Sequence, residues 1–144
     1  RDKVYLSGET LAAIAELGRG HPYYTQMLCH ILWDECTDRK KVYPKDVANA
    51  LESMLTRESG VYQALWDHCT QRQKSLLLAL SESEPEQVLS GSFLSEHQLG
   101  NASSIQKGFY NLLERDIVDK TAEGVVCQDP FFAGWLRRLS SGAE

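Results

Sequence analysis

The chain has 144 residues, enough for one domain or two small ones, and its 42% hydrophobic and 24% charged residues suit a globular chain with a core. Twenty Asp/Glu against fifteen Lys/Arg leave a formal net charge of −5, which argues against a polyanion-binding surface spread over the whole molecule. No apolar run approaches the ~20 residues of a membrane span, and no signal-peptide pattern opens the chain, so a cytoplasmic protein with no membrane partner is expected.

In chain order, Leu11, Ile14 and Leu17 fall roughly a turn apart and predict a first helix, with Ser7 as N-cap and Gly18 or Gly20 as stop. Tyr24, Met27, Leu28, Ile31 and Leu32 carry the spacing of one buried stripe, so a second helix runs from Pro22 toward Thr37. The charged turn Asp38-Arg39-Lys40-Lys41 ends it. Pro44 and Asp46 open a third helix with Val47, Ala50, Leu51, Met54 and Leu55 on one face. Three amphipathic helices with short loops make a small bundle. The stripe breaks at Arg57-Glu58-Ser59-Gly60, which puts a domain boundary there, with one domain over 1–59 and another over 60–144.

The second half begins with a helix bearing Val61, Leu65, Trp66 and Cys69, then one from Gln71 to Leu80 with Leu76, Leu77 and Leu80 inward. Ser81 to Ser92, rich in Ser, Glu and Gly and containing Pro85, reads as a loop. Phe93-Leu94 starts a short helix. After the turn Gly100-Asn101-Ala102-Ser103, Ser103 or Ser104 caps a helix with Ile105, Phe109, Leu112 and Leu113. Ile117-Val118 and Val125-Val126-Cys127 flank a Lys120-to-Gly124 turn, a hairpin signal. Asp129 and Pro130 open a closing helix, near whose end Arg137-Arg138 complement the helix dipole. Three helices and then a hairpin is the order of a winged helix-turn-helix, so the fold class is mostly α with one small β-hairpin.

Cys29, Cys36, Cys69 and Cys127 contain no Cys-x-x-Cys pair, and the four histidines add no ligand spacing, so no metal site is expected. Unpaired thiols suit a reducing compartment. Cys29 and Cys36, seven apart on one helix, are expected to pack as small hydrophobes on one face. Trp33, Trp66 and Trp135 lie on or beside apolar stripes and read as core. Asp67 and His68 point to different helix faces and make no catalytic pair.

Between the first two helices lies Arg19-Gly20-His21-Pro22-Tyr23-Tyr24. Gly can close a helix in the left-handed conformation and Pro fits the first position of the next. A helix starting at such a corner offers backbone N–H groups to the phosphate or ribose edge of a nucleotide. Taken alone, the same residues make only a helix–turn–helix corner.

Gly20-His21-Pro22-Tyr23-Tyr24-x-x-Met27-Leu28-x-x-Ile31-Leu32-Trp33 resembles the Gly-x-Pro segment in the helical lid of STAND-type AAA+ ATPases, most of all their archaeal and bacterial branch. Leu65-Trp66, Gln71-Arg72-Gln73 and Asp129-Pro130-Phe131-Phe132-x-x-Trp135-Leu136-Arg137-Arg138 resemble the winged-helix segment that follows that lid. Nearly the whole chain is covered. The resemblance implies that Gly20, His21 and Pro22 border ATP or ADP (with Mg) in a parent enzyme, with Arg19 a secondary candidate for the phosphates. It also implies a lid that shifts as ATP becomes ADP. The arginine that usually reaches the γ-phosphate from the lid helix is not evident in 22–37, which leaves the mode of ATP sensing open.

No Gly-x-x-x-x-Gly-Lys-Ser/Thr loop occurs, nor an apolar run ending in paired acidic residues. With Arg1 rather than Met at its start, the chain is expected to be a C-terminal fragment of a larger ATPase. By itself it is then neither an enzyme nor a cofactor carrier, and its first partner is an N-terminal P-loop domain of the same chain. The outward positions of the last helix before the hairpin supply Gln106, Lys107, Tyr110, Asn111 and Arg115, and the wing adds Lys120, as DNA or partner contacts. Residues 60–144 hold seven Lys/Arg against eleven Asp/Glu, so nucleic-acid contact is expected to be weak and contact with a protein partner or another subunit is preferred. The function implied is a lid plus winged helix relaying nucleotide state to a protein or DNA. The alternatives are a stand-alone winged-helix transcription regulator and a purely structural interaction module.

Overall fold

In the computed structural model, which describes residues 3–142, the chain divides between Ser59 and Gly60 into two compact units. The first contains β1 (Tyr5–Leu6), α1 (Gly8–Gly18), α2 (Pro22–Cys36), a 3-10 turn at Thr37–Arg39, β2 (Lys41–Val42) and α3 (Pro44–Arg57). Ser7 caps α1 as expected, its hydroxyl accepting from the Thr10 N–H at 3.1 Å. The inward face is rotated from the predicted one: Thr10, Ile14 and Gly18 are buried, whereas Leu11 is exposed. Thr10 is tolerated inside because its hydroxyl donates to the Val42 carbonyl at 3.1 Å. Gly18 is the close approach of α1 to α2, since a Cβ there would overlap the Thr25 hydroxyl.

The α2 stripe of Tyr24, Leu28, Ile31 and Leu32 is buried. Two expectations on this helix need correction. Cys29 is exposed while Cys36 is buried: Cys36 follows Leu28 and Leu32 at four-residue spacing on the inner stripe, whereas Cys29 stands one position past Leu28, and Arg39 Nη2 lies 3.2 Å from the Cys36 sulfur. Trp33 is 45% exposed and is not core, because it stands one position past Leu32 on the outer side. The charged turn holds more structure than expected: Lys40 is left-handed (φ 55°), and Lys41–Val42 pairs in parallel with Tyr5–Leu6. Two-residue strands carry no alternation that a sequence could display.

Asp46 opens α3 from a buried position. It accepts the Tyr43 N–H at 2.8 Å and the Arg39 guanidinium at 2.9 Å, and these contacts, the backbone one foremost, hold its carboxyl below the usual range. A depressed folded value means the stabilisation is complete above the unfolded value of about 3.9 and disappears as pH falls through the folded one. The first unit is therefore expected to lose stability as pH falls below about 4, with a shallower loss in Asp46→Asn. Thermal melts of both proteins across that range check this, and equal slopes would remove Asp46 from the account.

The second unit contains α4 (Ser59–Asp67), α5 (Gln71–Glu82), a 3-10 turn at Pro85–Gln87, α6 (Gly91–Glu96), α7 (Ala102–Glu114), β3 (Val118–Thr121), β4 (Gly124–Cys127) and α8 (Pro130–Ser140). On α4 the inward residue is Tyr62; Val61, expected inside, is 61% exposed. Tyr62 stacks toward Phe132 and Trp135 with ring centres 5.5 and 6.1 Å away, and its hydroxyl donates to Asp129 Oδ2 at 3.1 Å. Asp129 also caps α8, Oδ1 accepting the Phe131 and Phe132 N–H groups.

Thr70 and Gln73 form a reciprocal capping box at the start of α5. Leu76, Leu77 and Leu80 of α5 are buried, as are Phe93 and Leu94 of α6. The cap of α7 is Asn101, not Ser103 or Ser104: its Oδ1 accepts the Ser104 N–H at 2.9 Å, and Ser103 donates to the same oxygen. Strands β3 and β4 are antiparallel with Val118 opposite Cys127 and Thr121 opposite Gly124, so the turn shortens to Ala122-Glu123. Three helices, the hairpin and a closing helix follow in the expected winged-helix order, and the chain is mostly helical with this small antiparallel sheet.

Candidate functional sites

The first site is the corner between α1 and α2. Helix α1 stops at Gly18, and the left-handed cap is Arg19 (φ 48°) rather than a glycine, with Gly20 (φ 70°) following in the same region. A non-glycine residue held there costs on the order of 1 kcal/mol, so the corner is set by its surroundings. His21 is the extended residue before α2 and makes no side-chain cap, and Pro22 occupies the first position. No acidic residue lies in the first turn of α2. Arg19, Gly20, His21 and Pro22 are thus gathered on one exposed edge. Tyr24 is buried beneath it, with the His21 ring centre 4.7 Å and the Tyr23 ring centre 5.2 Å away, and Tyr23 is 59% exposed.

The second site lies on α7. Gln106, Lys107, Tyr110, Asn111 and Arg115 are exposed, as is Lys120 on β3. The structure separates them into two groups. Lys120 turns back over α7, its Nζ 5.4 Å from the Phe109 ring centre and 5.7 Å from that of Tyr110. Lys107, Asn111 and Arg115 instead line an open cleft of about 940 Å³ between α5 and α7, shared with His68, Gln71 and Arg72. Gln106 does not line it.

The floor of the cleft is polar and internally satisfied. Buried Gln73 donates from Nε2 to Asn111 Oδ1 at 2.7 Å, which ties the start of α5 to the middle of α7. Gly108 packs beside this pair, and a Cβ there would stand in ordinary contact, 3.7 Å from Gln73 Cγ. At the end of α7, Arg115 reaches Cys69: burial pushes the Cys69 thiol up, and the guanidinium acts against that shift. No carboxylate lines the cleft, and among the described residues Arg72, Lys107 and Arg115 make no ion pair with one. Sequence reasoning missed Arg72 as a site residue, because no spacing relates a position at the start of α5 to position 107.

His68 Nδ1 is held 2.7 Å from the Ala64 carbonyl of its own helix, and Asp67 accepts from Gln63 at 2.9 Å, so the two do not work together. Among the described residues no group of three or more His, Cys, Asp or Glu could hold a metal ion, and no helix is long and apolar enough to cross a membrane. A family model described as a probable winged helix domain matches residues 60–138, more than half of the chain. No curated protein and no solved structure matches the chain.

Proposed function

The chain belongs to the probable winged helix domain family, and from that premise we propose that it is the lid and winged-helix portion of a STAND-like AAA+ ATPase that relays nucleotide state to a protein partner. The carrying observation is the α1–α2 corner: two consecutive left-handed residues lead into an exposed, Pro-started helix without a side-chain cap, in the unit that precedes the winged helix. A helix start of this kind favours negative charge. In this reading Gly20, His21 and Pro22 border ATP or ADP, Arg19 extends toward the phosphates, and a P-loop domain outside these residues holds Mg and performs hydrolysis. The winged unit passes on the shift of the lid. Four cysteines without a Cys-x-x-Cys pair suit work in a reducing cytoplasm. The rival reading, a DNA-binding regulator, draws on exposed Gln106 and Lys107 along α7.

In the longer protein carrying the P-loop domain, Pro22→Ala is expected to weaken ADP retention by about tenfold while changing folding stability by only about 1 kcal/mol. The 144-residue chain alone is expected to show neither saturable micromolar ATP binding nor turnover. Fluorescent-nucleotide titration and thermal melting decide it. A collapsed melting temperature with unchanged ADP affinity would make the corner purely structural, and turnover by the chain alone would overturn the proposal.

A further inference from the structure

We propose that the cleft between α5 and α7 seats a short acidic peptide segment of the partner protein. This deepens the partner-binding half of the reading above, and its test uses no nucleotide, so its failure leaves the nucleotide half standing. The second unit carries seven Lys/Arg against eleven Asp/Glu, yet three of those seven, Arg72, Lys107 and Arg115, meet at one concavity without a lining carboxylate. His68 adds a fourth nitrogen base to the rim. Carboxylates are the natural complement, because guanidinium groups accept them in paired, charge-assisted hydrogen bonds. The exposed amides of Gln71 and Gln98 on the same rim can bond a peptide backbone. The open cleft, about 940 Å³, has room for a short peptide segment.

Duplex DNA fits this surface poorly. A phosphate rod must run beyond the cleft onto neighbouring surface, where the unit is net acidic and the wing carries Asp119 and Glu123. Lys120, the wing's basic residue, is committed to the Phe109 and Tyr110 rings. Asn111, one side chain of α7 able to read adenine, has its oxygen occupied by Gln73. A short acidic segment meets only the cleft and avoids these obstacles.

The experiment titrates the 144-residue chain with a fluorescein-labelled oligoglutamate of about ten residues, with an oligoglutamine of equal length and a random duplex alongside. Saturable oligoglutamate binding is expected, weakened about tenfold or more by Arg72→Glu and by Lys107→Glu, and unchanged by Lys120→Glu. Oligoglutamine should not bind, and duplex should bind more weakly than oligoglutamate at every salt concentration. All three replaced side chains are exposed, and equal melting temperatures of the variants confirm that folding is intact. Absent oligoglutamate binding, or binding indifferent to both cleft variants, overturns the proposal. Tighter duplex binding lost in Lys107→Glu overturns it in favour of a DNA contact.

Discussion

Replacing Gly124 by Val is expected to destabilise the winged unit by on the order of 3 kcal/mol or more. Gly124 opens β4 at φ 131°, a region that residues with a Cβ rarely adopt. The obstacle is also steric. A Cβ there would overlap the Pro85 carbonyl group and stand 2.8 Å from Glu86 N, and both are backbone of the 3-10 turn packed on the hairpin. Backbone cannot swing aside as a side-chain tip can, so either the hairpin or the turn must detach. Gly142→Ala is the control: its φ of 67° is also positive, but no atom stands within 4 Å of the added Cβ, so only about 1 kcal/mol of conformational cost is expected. Chemical denaturation followed through the amides of β3 and β4 measures the difference. A loss at Gly124 no larger than that at Gly142 would show that the contact with Pro85 contributes nothing.

A similar contrast is expected between adjacent residues of α7. Phe109→Ala should cost about 3–5 kcal/mol, the usual result of emptying a buried aromatic site. Tyr110→Ala should cost about 1 kcal/mol or less, from weakening the Lys120 cation–π contact at an exposed position. Phe109 is among the largest fully buried side chains, whereas Tyr110 is 53% exposed. Equilibrium unfolding of the two variants resolves this. Comparable losses would mean that the outer face of α7 is packed, leaving it unable to meet a partner.

The outward face of α7 was legible in advance because Ile105, Phe109 and Leu112 mark its inner side at helical spacing. The same reasoning located the α1–α2 corner, since Gly and Pro act on their own backbone. At helix ends it misplaced the cap. Ser103 and Ser104 looked like caps by residue type, yet Asn101, also a good capping residue, took the position because the turn left its side chain nearest the Ser104 N–H. Arg19 took the left-handed cap position one residue before Gly20, which is left-handed as well.

By itself the sequence determined the inner stripes of α2, α3, α5 and α7, the caps at Ser7 and Asp129, the proline starts of α2, α3 and α8 and the hairpin, since each depends on residues within a few positions of one another. Tertiary structure alone decided which polar residues go inside. Thr10 is buried because Val42, 32 positions later, offers a carbonyl, and Gln73 because Asn111, 38 positions later, offers an amide oxygen. It also decided that Arg72 joins Lys107 and Arg115 at one cleft while Lys120 is drawn away onto aromatic rings. Charge counts along a chain average over such groupings, because side chains far apart in sequence become electrostatic neighbours only when helices pack.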